Sequence, residues 1–409
     1  YTSDKSYGVF VGHNAGMNID DGDSNTAIGA WAMRGSGDGS NAGENVVLGY
    51  KAGYVMTDGD YNVIIGSEAG MALTTNLANV LIGRQAGKAI TTQAYATLIG
   101  YQAGLALNHN DANGTVAIGG LAGTAITSGQ GNVAIGYQAL LAEDDGDSNT
   151  AIGHEALRDQ TGYSGLVGNT AVGWRAGYET TTARFCTFVG ANAGFTNTTG
   201  LNNTYIGYAA GYASTGSRYN TVVGQGAYYS GGGASTYNVA IGDTAMQLFT
   251  LTATGGLSGG STSGNVAIGG YSGYMMGRDN VDSYGNTQVG YETGYYSTGS
   301  FNTFLGFRAG KGGTTGAPYS SGTHNVALGY NALTAFTTGE KNVAIGSGAG
   351  DSATTMWGNI LIGYQAGQAV TIGSEQVMIG YEAGYTTSYS VRNTFVGYRA
   401  GYSGVSSNG

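Results

Sequence analysis

Three segments share the pattern Asp-Gly-Asp-x-Asn: Asp21-Gly22-Asp23-Ser24-Asn25, Asp58-Gly59-Asp60-Tyr61-Asn62 and Asp145-Gly146-Asp147-Ser148-Asn149. Clustered carboxylates with nearby backbone carbonyls are the donor set of a Ca²⁺ site, which takes about six to eight oxygen ligands. Asp21, Asp23, Asp58, Asp60, Asp145 and Asp147 are therefore the candidate metal ligands. The same pattern equally makes a tight turn that needs no ion. His13, His109, His154 and His324 are scattered, without metal-ligand spacing. Acidic residues such as Glu68, Glu155, Glu292 and Glu382 recur singly rather than as a distinct carboxylate pair for glycoside hydrolysis. The expectation is a protein without enzymatic activity. Asn113, Asn197 and Asn202 open Asn-x-Thr sequons and are candidate glycosylation sites.

These residues sit within one repeated phrase, Asn-(Val/Thr)-x-(Ile/Val/Leu)-Gly-(Tyr)-x-Ala-Gly. Its central glycine, hereafter position 0, occurs twenty-two times from Gly12 to Gly397, mostly 17 residues apart. The residue before it is Ile, Val or Leu in every copy, the residue at +3 is Ala in 20, and the residue at −4 is Asn in 17. Seventeen residues are too few for helical-hairpin or propeller repeats but suit one coil of a solenoid. Val and Ile alternating with Ala, as in Asn342-Val343-Ala344-Ile345-Gly346, is the pattern of a strand with one buried face. A second apolar patch at +7 (Met56, Leu73, Ile90, Leu107, Ile126, Val370) is read as a second strand. The expected fold is all-β, a parallel β-solenoid (β-roll or β-helix) of about 22 coils, spanning 1–409 as one continuous domain. At ~4.8 Å per coil it would be about 105 Å long. Gly/Ser/Thr-rich insertions near 248–264 and 311–323 are expected to be loops.

Stacking turns sequence columns into physical ladders. The Asn column is expected to hydrogen-bond coil to coil. At +1, Tyr50, Tyr101, Tyr137, Trp174, Tyr208, Tyr291, Phe307, Tyr330, Tyr364, Tyr381 and Tyr398 form an aromatic column that would stack, or meet glycan or another chain. A coil this narrow buries little beyond small side chains, so lateral association, for instance three around an axis, is expected. The first and last units, 8–16 and 393–401, are near-consensus, and end-to-end stacking is expected too.

Composition agrees. Of 409 residues 78 are Gly and one is Pro, which excludes collagen. A net charge of −10 argues against nucleic acid as the main partner. No apolar run approaches the ~20 residues of a membrane span. Residue 1 is Tyr and no signal-peptide pattern follows, which suits a mature or trimmed product.

Asn342 to Gly346 and the run Asn149-Thr150-Ala151-Ile152-Gly153-His154-Glu155-Ala156-Leu157 resemble the head repeats of YadA-like trimeric autotransporter adhesins. They also resemble the Asn-Thr-Ala-Ile-Gly-Tyr-x-Ala repeats of phage tail-fibre-like and bacterial surface proteins. The resemblance covers nearly the whole chain. It implies a β-roll or β-solenoid, often trimeric, serving as a shaft or adhesive head outside the cell. The expected function is that of an extracellular structural subunit, on a cell-surface appendage or virion fibre, assembling with itself head-to-tail or as a trimer. The alternative is an adhesin or receptor-binding fibre that recognises surface glycan.

Overall fold

The repeated triplet before each glycine forms a strand of three residues, such as Thr26–Ile28, Val63–Ile65 and Val343–Ile345. The computed structural model describes residues 7–403 except 21, 38, 110–111, 162–163, 231–234, 248–260, 279–280 and 314–318. It divides into two units, Tyr1–Thr199 and Gly200–Gly409. Each is a parallel β-solenoid with eleven such strands, one per coil, from Val9–Val11 to Thr187–Val189 in the first and from Thr204–Ile206 to Thr394–Val396 in the second. Strands of successive coils pair in parallel and in register, as Val63 with Val80 and Val343 with Ile360. The described residues contain no α-helix.

The glycine column holds the coils at their spacing. Gly346 has φ +133°, and a Cβ placed on it would lie 2.3 Å from the carbonyl oxygen of Gly363 in the next coil. The same clash recurs at Gly66 against Gly83 (2.4 Å) and Gly363 against Gly380 (2.2 Å). No side chain fits there, which is why the position never varies.

The asparagine ladder forms inside the coil as the repeat predicts. In the second unit it runs unbroken from Asn203 to Gln376, each backbone N–H donating to the amide oxygen of the residue one coil back. Asn342 is typical. Its Nδ2 donates to Asn325 Oδ1 (3.0 Å) and to the Met356 carbonyl (2.9 Å), while its Oδ1 accepts from the N–H (3.1 Å) and Nδ2 (2.9 Å) of Asn359. In the first unit the ladder runs from Asn25 to Ala96 and again from Asn132 to Cys186, whose N–H donates to Asn169. Such buried amides contribute because every donor and acceptor has a partner.

Two features depart from the sequence expectation. The +7 residues Met56, Leu73, Ile90, Leu107, Ile126 and Val370 are fully buried but are not strand. Their amides are spent within their own coil, donating to the carbonyl three residues back, as Leu73 to Gly70 and Val370 to Gly367, and so cannot join a ladder. The second column of pairing lies farther on, in isolated bridges such as Asp60 with Leu77 and in short pairs such as Ile372–Ser374 with Tyr389–Val391. Second, the coil buries more than small side chains. The middle residue of the triplet and the +3 alanine point inward, as Ala344 and Ala349, whereas the flanking Val, Thr and Ile point outward. The inward middle position takes residues of every size, and Ile64, Leu81, Phe188, Tyr205 and Phe304 are fully buried there, so the expectation of an interior limited to small residues does not hold.

The predicted loops at 248–264 and 311–323 lie partly outside the described residues. Of the first, Thr262–Ser263 pairs with Ser283–Tyr284. Of the second, Ser320 bridges to Ser297.

Candidate functional site

The outward residues of the triplet make an aliphatic strip along each unit. Ile28, Ile152, Leu305 and Leu328, all at −1, are 43%, 37%, 44% and 40% exposed. At −3, Val46 and Ile360 are each 38% exposed. The remaining −1 residues are mostly half-buried, such as Ile345 and Ile362, but an aliphatic residue in every coil on one outward line is the kind of apolar surface that marks interaction sites.

Beside this strip runs the aromatic column. All eleven residues of the column, Tyr50, Tyr101, Tyr137, Trp174, Tyr208, Tyr291, Phe307, Tyr330, Tyr364, Tyr381 and Tyr398, are exposed, from 39% at Phe307 to 70% at Tyr398. Where neighbours are aromatic the rings stack: Tyr364 on Tyr381 at 5.1 Å, Tyr381 on Tyr398 at 5.4 Å, and Phe307 between Tyr291 and Tyr330 at 5.5 Å each. These distances exceed the coil spacing of ~4.8 Å because the rings are tilted and offset. His154 packs against Tyr137 at 5.2 Å, His13 against Trp31 and His324 against Phe301.

At +2 the structure reveals a polar column that the sequence pattern does not announce. The backbone there is left-handed in every kind of residue, with φ +58° at Glu68, +60° at Leu121 and +53° at Glu382. Glu155 accepts from Arg175 (2.6 Å), Glu382 from Arg399 (2.6 Å), Glu68 from Lys88 (2.7 Å), and Glu292 from both Arg308 (2.8 Å) and Lys311 (2.7 Å). Lys88 and Gln85 hold the Glu68 carboxyl below its ordinary value. Partial burial pushes Glu292 up, but its two cations outweigh this and the net shift is downward. Neither is tuned as a general acid, which requires the opposite shift.

The candidate metal ligands hold the turns together. The carboxylate of Asp60 accepts the Gly43 N–H (2.8 Å), and that of Asp147 accepts the Gln130 N–H (2.8 Å). Asp21 lies outside the described residues. Asp23 offers its carbonyl to the Glu44 N–H, and the Asp58 and Asp145 backbones join the turn network to Thr74 and Gly165. Among the described residues no three His, Cys, Asp or Glu side chains are gathered as a metal cage. Of the sequons, Asn113 and Asn202 are exposed, whereas Asn197 is fully buried. A glycan on Asn197 would require opening the coil, so the structure removes it from the candidates.

Other aromatic columns escape the sequence reading because their residues are intermittent. At +5, Tyr178 stacks on Phe195 (5.0 Å), Tyr212 on Tyr229 (4.8 Å) and Tyr385 on Tyr402 (5.1 Å). At −5, Tyr219 stacks on Tyr237 (4.9 Å).

No protein-family model matches the chain, and no curated protein matches it in sequence.

Proposed function

We propose that this protein is a non-enzymatic structural solenoid, a subunit of an extracellular fibre, that associates side by side with further copies of itself. The observation that carries this reading is the outward-facing aliphatic strip. Fully burying an Ile or Val is worth about 1.5–3 kcal/mol, so covering a −1 residue that is two-fifths exposed, such as Leu328, is worth on the order of 1 kcal/mol, and a half-buried one such as Ile345 less. Summed along a unit and doubled by a partner strip, this gain falls within the range of association costs of about 4–15 kcal/mol. The resemblance to trimeric adhesin head repeats fits three copies around an axis. Head-to-tail joining, the other mode expected from the sequence, would use the Gly and Asn columns, whose contacts run from coil to coil.

Absence of catalysis is part of the same proposal. The carboxylates that recur along the chain are paired to Arg and Lys, and His13, His154 and His324 lie against aromatic rings. Among the described residues no helix is long and apolar enough to cross a membrane. Analytical ultracentrifugation with electron microscopy of the purified chain tests the proposal. Trimers or laterally bundled fibres support it, and a monodisperse monomer at high concentration refutes it.

A further inference from the structure

One stretch of the second unit breaks the repeat in several ways at once. The glycine spacings around it, from Gly242 through Gly269, Gly290 and Gly306 to Gly329, run 27, 21, 16 and 23. The only two non-alanine residues of the +3 column, Ser272 and Thr293, fall here. So does Gln288, a fully buried strand residue whose amide has neither a donor nor an acceptor as partner. On the outside of the same coils five tyrosines converge. Tyr274 stacks on Tyr295 at 4.7 Å, Tyr271 meets Tyr291 edge-on at 6.0 Å, and Tyr296 meets Tyr295 edge-on at 4.6 Å. Tyr271, Tyr291, Tyr295 and Tyr296, together with Glu292 and Lys311, bound a cleft of about 340 Å³, within the ordinary range for small-ligand sites, and Tyr274 backs it by stacking on Tyr295.

The lining decides what such a cleft would hold. Phenol rings, a carboxylate and an ammonium suit a hydrophilic ligand with apolar faces, which describes a pyranose: axial C–H groups lie on aromatic rings and hydroxyls meet polar tips. A cationic ligand is disfavoured, because Glu292 is already paired with Arg308 and Lys311, and the Lys311 ammonium stands 5.7 Å from the Tyr295 ring. That trio carries one net positive charge in a chain of net charge −10. Arg278, over the Tyr319 ring at 5.1 Å, also acts electrostatically on Tyr274. We infer that this cleft binds an acidic oligosaccharide, its sugar rings on the tyrosine faces and its carboxylate against Lys311 and Arg308. Burial and the neighbouring tyrosines push the Tyr295 hydroxyl up to about 12, so it stays a donor to sugar oxygens throughout the neutral range. The site lies at +1 to +6, apart from the −3 and −1 strip, and does not depend on lateral association.

The test is isothermal titration of the full chain with galacturonate oligosaccharides, with maltohexaose as the neutral comparison. Saturable binding of galacturonate is expected, stronger than that of maltohexaose and weakened by salt. Tyr295→Ala and Lys311→Gln should each weaken it about tenfold, the equivalent of ~1.4 kcal/mol. Tyr212→Ala, which removes a stacked ring of the same +5 column outside the cleft, should leave it unchanged. Circular dichroism checks that each variant is folded, and Lys311→Gln, a half-buried polar exchange that keeps most of the side-chain length, carries the test if Tyr295→Ala is not. Absence of saturable galacturonate binding, equal affinity for maltohexaose, or an equal loss in Tyr212→Ala would overturn the inference.

Discussion

Replacing Gly346 by Ala sets the clearest physical demand on this fold. The new Cβ would sit 2.3 Å from the Gly363 oxygen and 2.6 Å from its carbonyl carbon, so two coils must separate by roughly 1 Å to restore a van der Waals contact. That movement stretches the bonds on either side of the contact, Gly363 N–H to the Ile345 carbonyl (2.8 Å) and Gln365 N–H to the Ser347 carbonyl (2.9 Å), each worth about 1 kcal/mol. The backbone conformation at φ +133° adds about 1–3 kcal/mol for a residue with a Cβ, and overpacking about 1–3 kcal/mol. The sum is about 4–8 kcal/mol. Gly358 is the matched control: its φ is +68° and a Cβ there meets nothing within 4 Å. Gly358→Ala should cost only about 1–2 kcal/mol, the left-handed penalty, and the same position elsewhere already holds Lys341 and Glu375. Guanidinium unfolding followed by circular dichroism gives the two costs, and amide hydrogen exchange should show faster opening around 343–366 for Gly346→Ala alone. Equal costs for the two variants would refute the idea that backbone contact, rather than chain flexibility, selects glycine at position 0.

Asn342→Ala removes four ladder bonds and leaves the buried Asn359 N–H without its acceptor. A loss of about 3–5 kcal/mol is expected by denaturant titration, with Asn342→Asp no milder at neutral pH, because its buried carboxylate keeps the bonds from Asn359 but faces Asn325 Oδ1 and the Met356 carbonyl with no proton to donate. Glu143 is fully buried, and burial pushes its carboxyl above the ordinary value although the Asp144 and Gly146 amides donate to it. A raised folded pKa means that stability is highest below the unfolded value of 4.5 and declines as pH rises through the folded one. Glu143→Gln should therefore raise the thermal midpoint at neutral pH and remove that decline, with little effect at pH 4. Glu292 has the opposite sign: its lowered pKa gives stability present above 4.5 and lost as pH falls through the folded value. Glu292→Gln should flatten the acid limb of the stability profile.

What was legible in the sequence follows from which positions have only one chemical solution. Position 0 admits no Cβ, and −4 needs a side chain that both accepts a backbone N–H and donates an amide, so Gly and Asn stand out as columns. The +2 position is equally constrained in backbone but not in side chain, which points to solvent. Lys51, Gln85, Leu121 and Tyr271 all adopt it and share no pattern to read. Met56 and Leu73 were visible as buried residues but not as turn residues, because apolarity reports burial and says nothing of where an amide is spent. Alternation in Val343-Ala344-Ile345 showed two faces without showing which was inside, because the inner position accepts side chains from Ala344 to Tyr205 while aliphatic residues also occupy the outer one. The tyrosine cleft was hidden because Tyr271, Tyr291, Tyr295 and Tyr296 occupy offsets +2, +1, +5 and +6 in adjacent coils and converge only when these stack.

The most direct test of the proposed function is sedimentation velocity of the parent chain beside the triple variant Leu328→Thr, Ile345→Thr, Ile362→Thr. These residues point outward in three successive coils, and Thr preserves strand propensity while removing apolar surface. A parent that sediments as a trimer or larger bundle, with a variant that dissociates while keeping its circular dichroism spectrum and thermal midpoint, is the predicted result. A parent that remains monomeric, or a variant that associates as strongly as the parent, would contradict it.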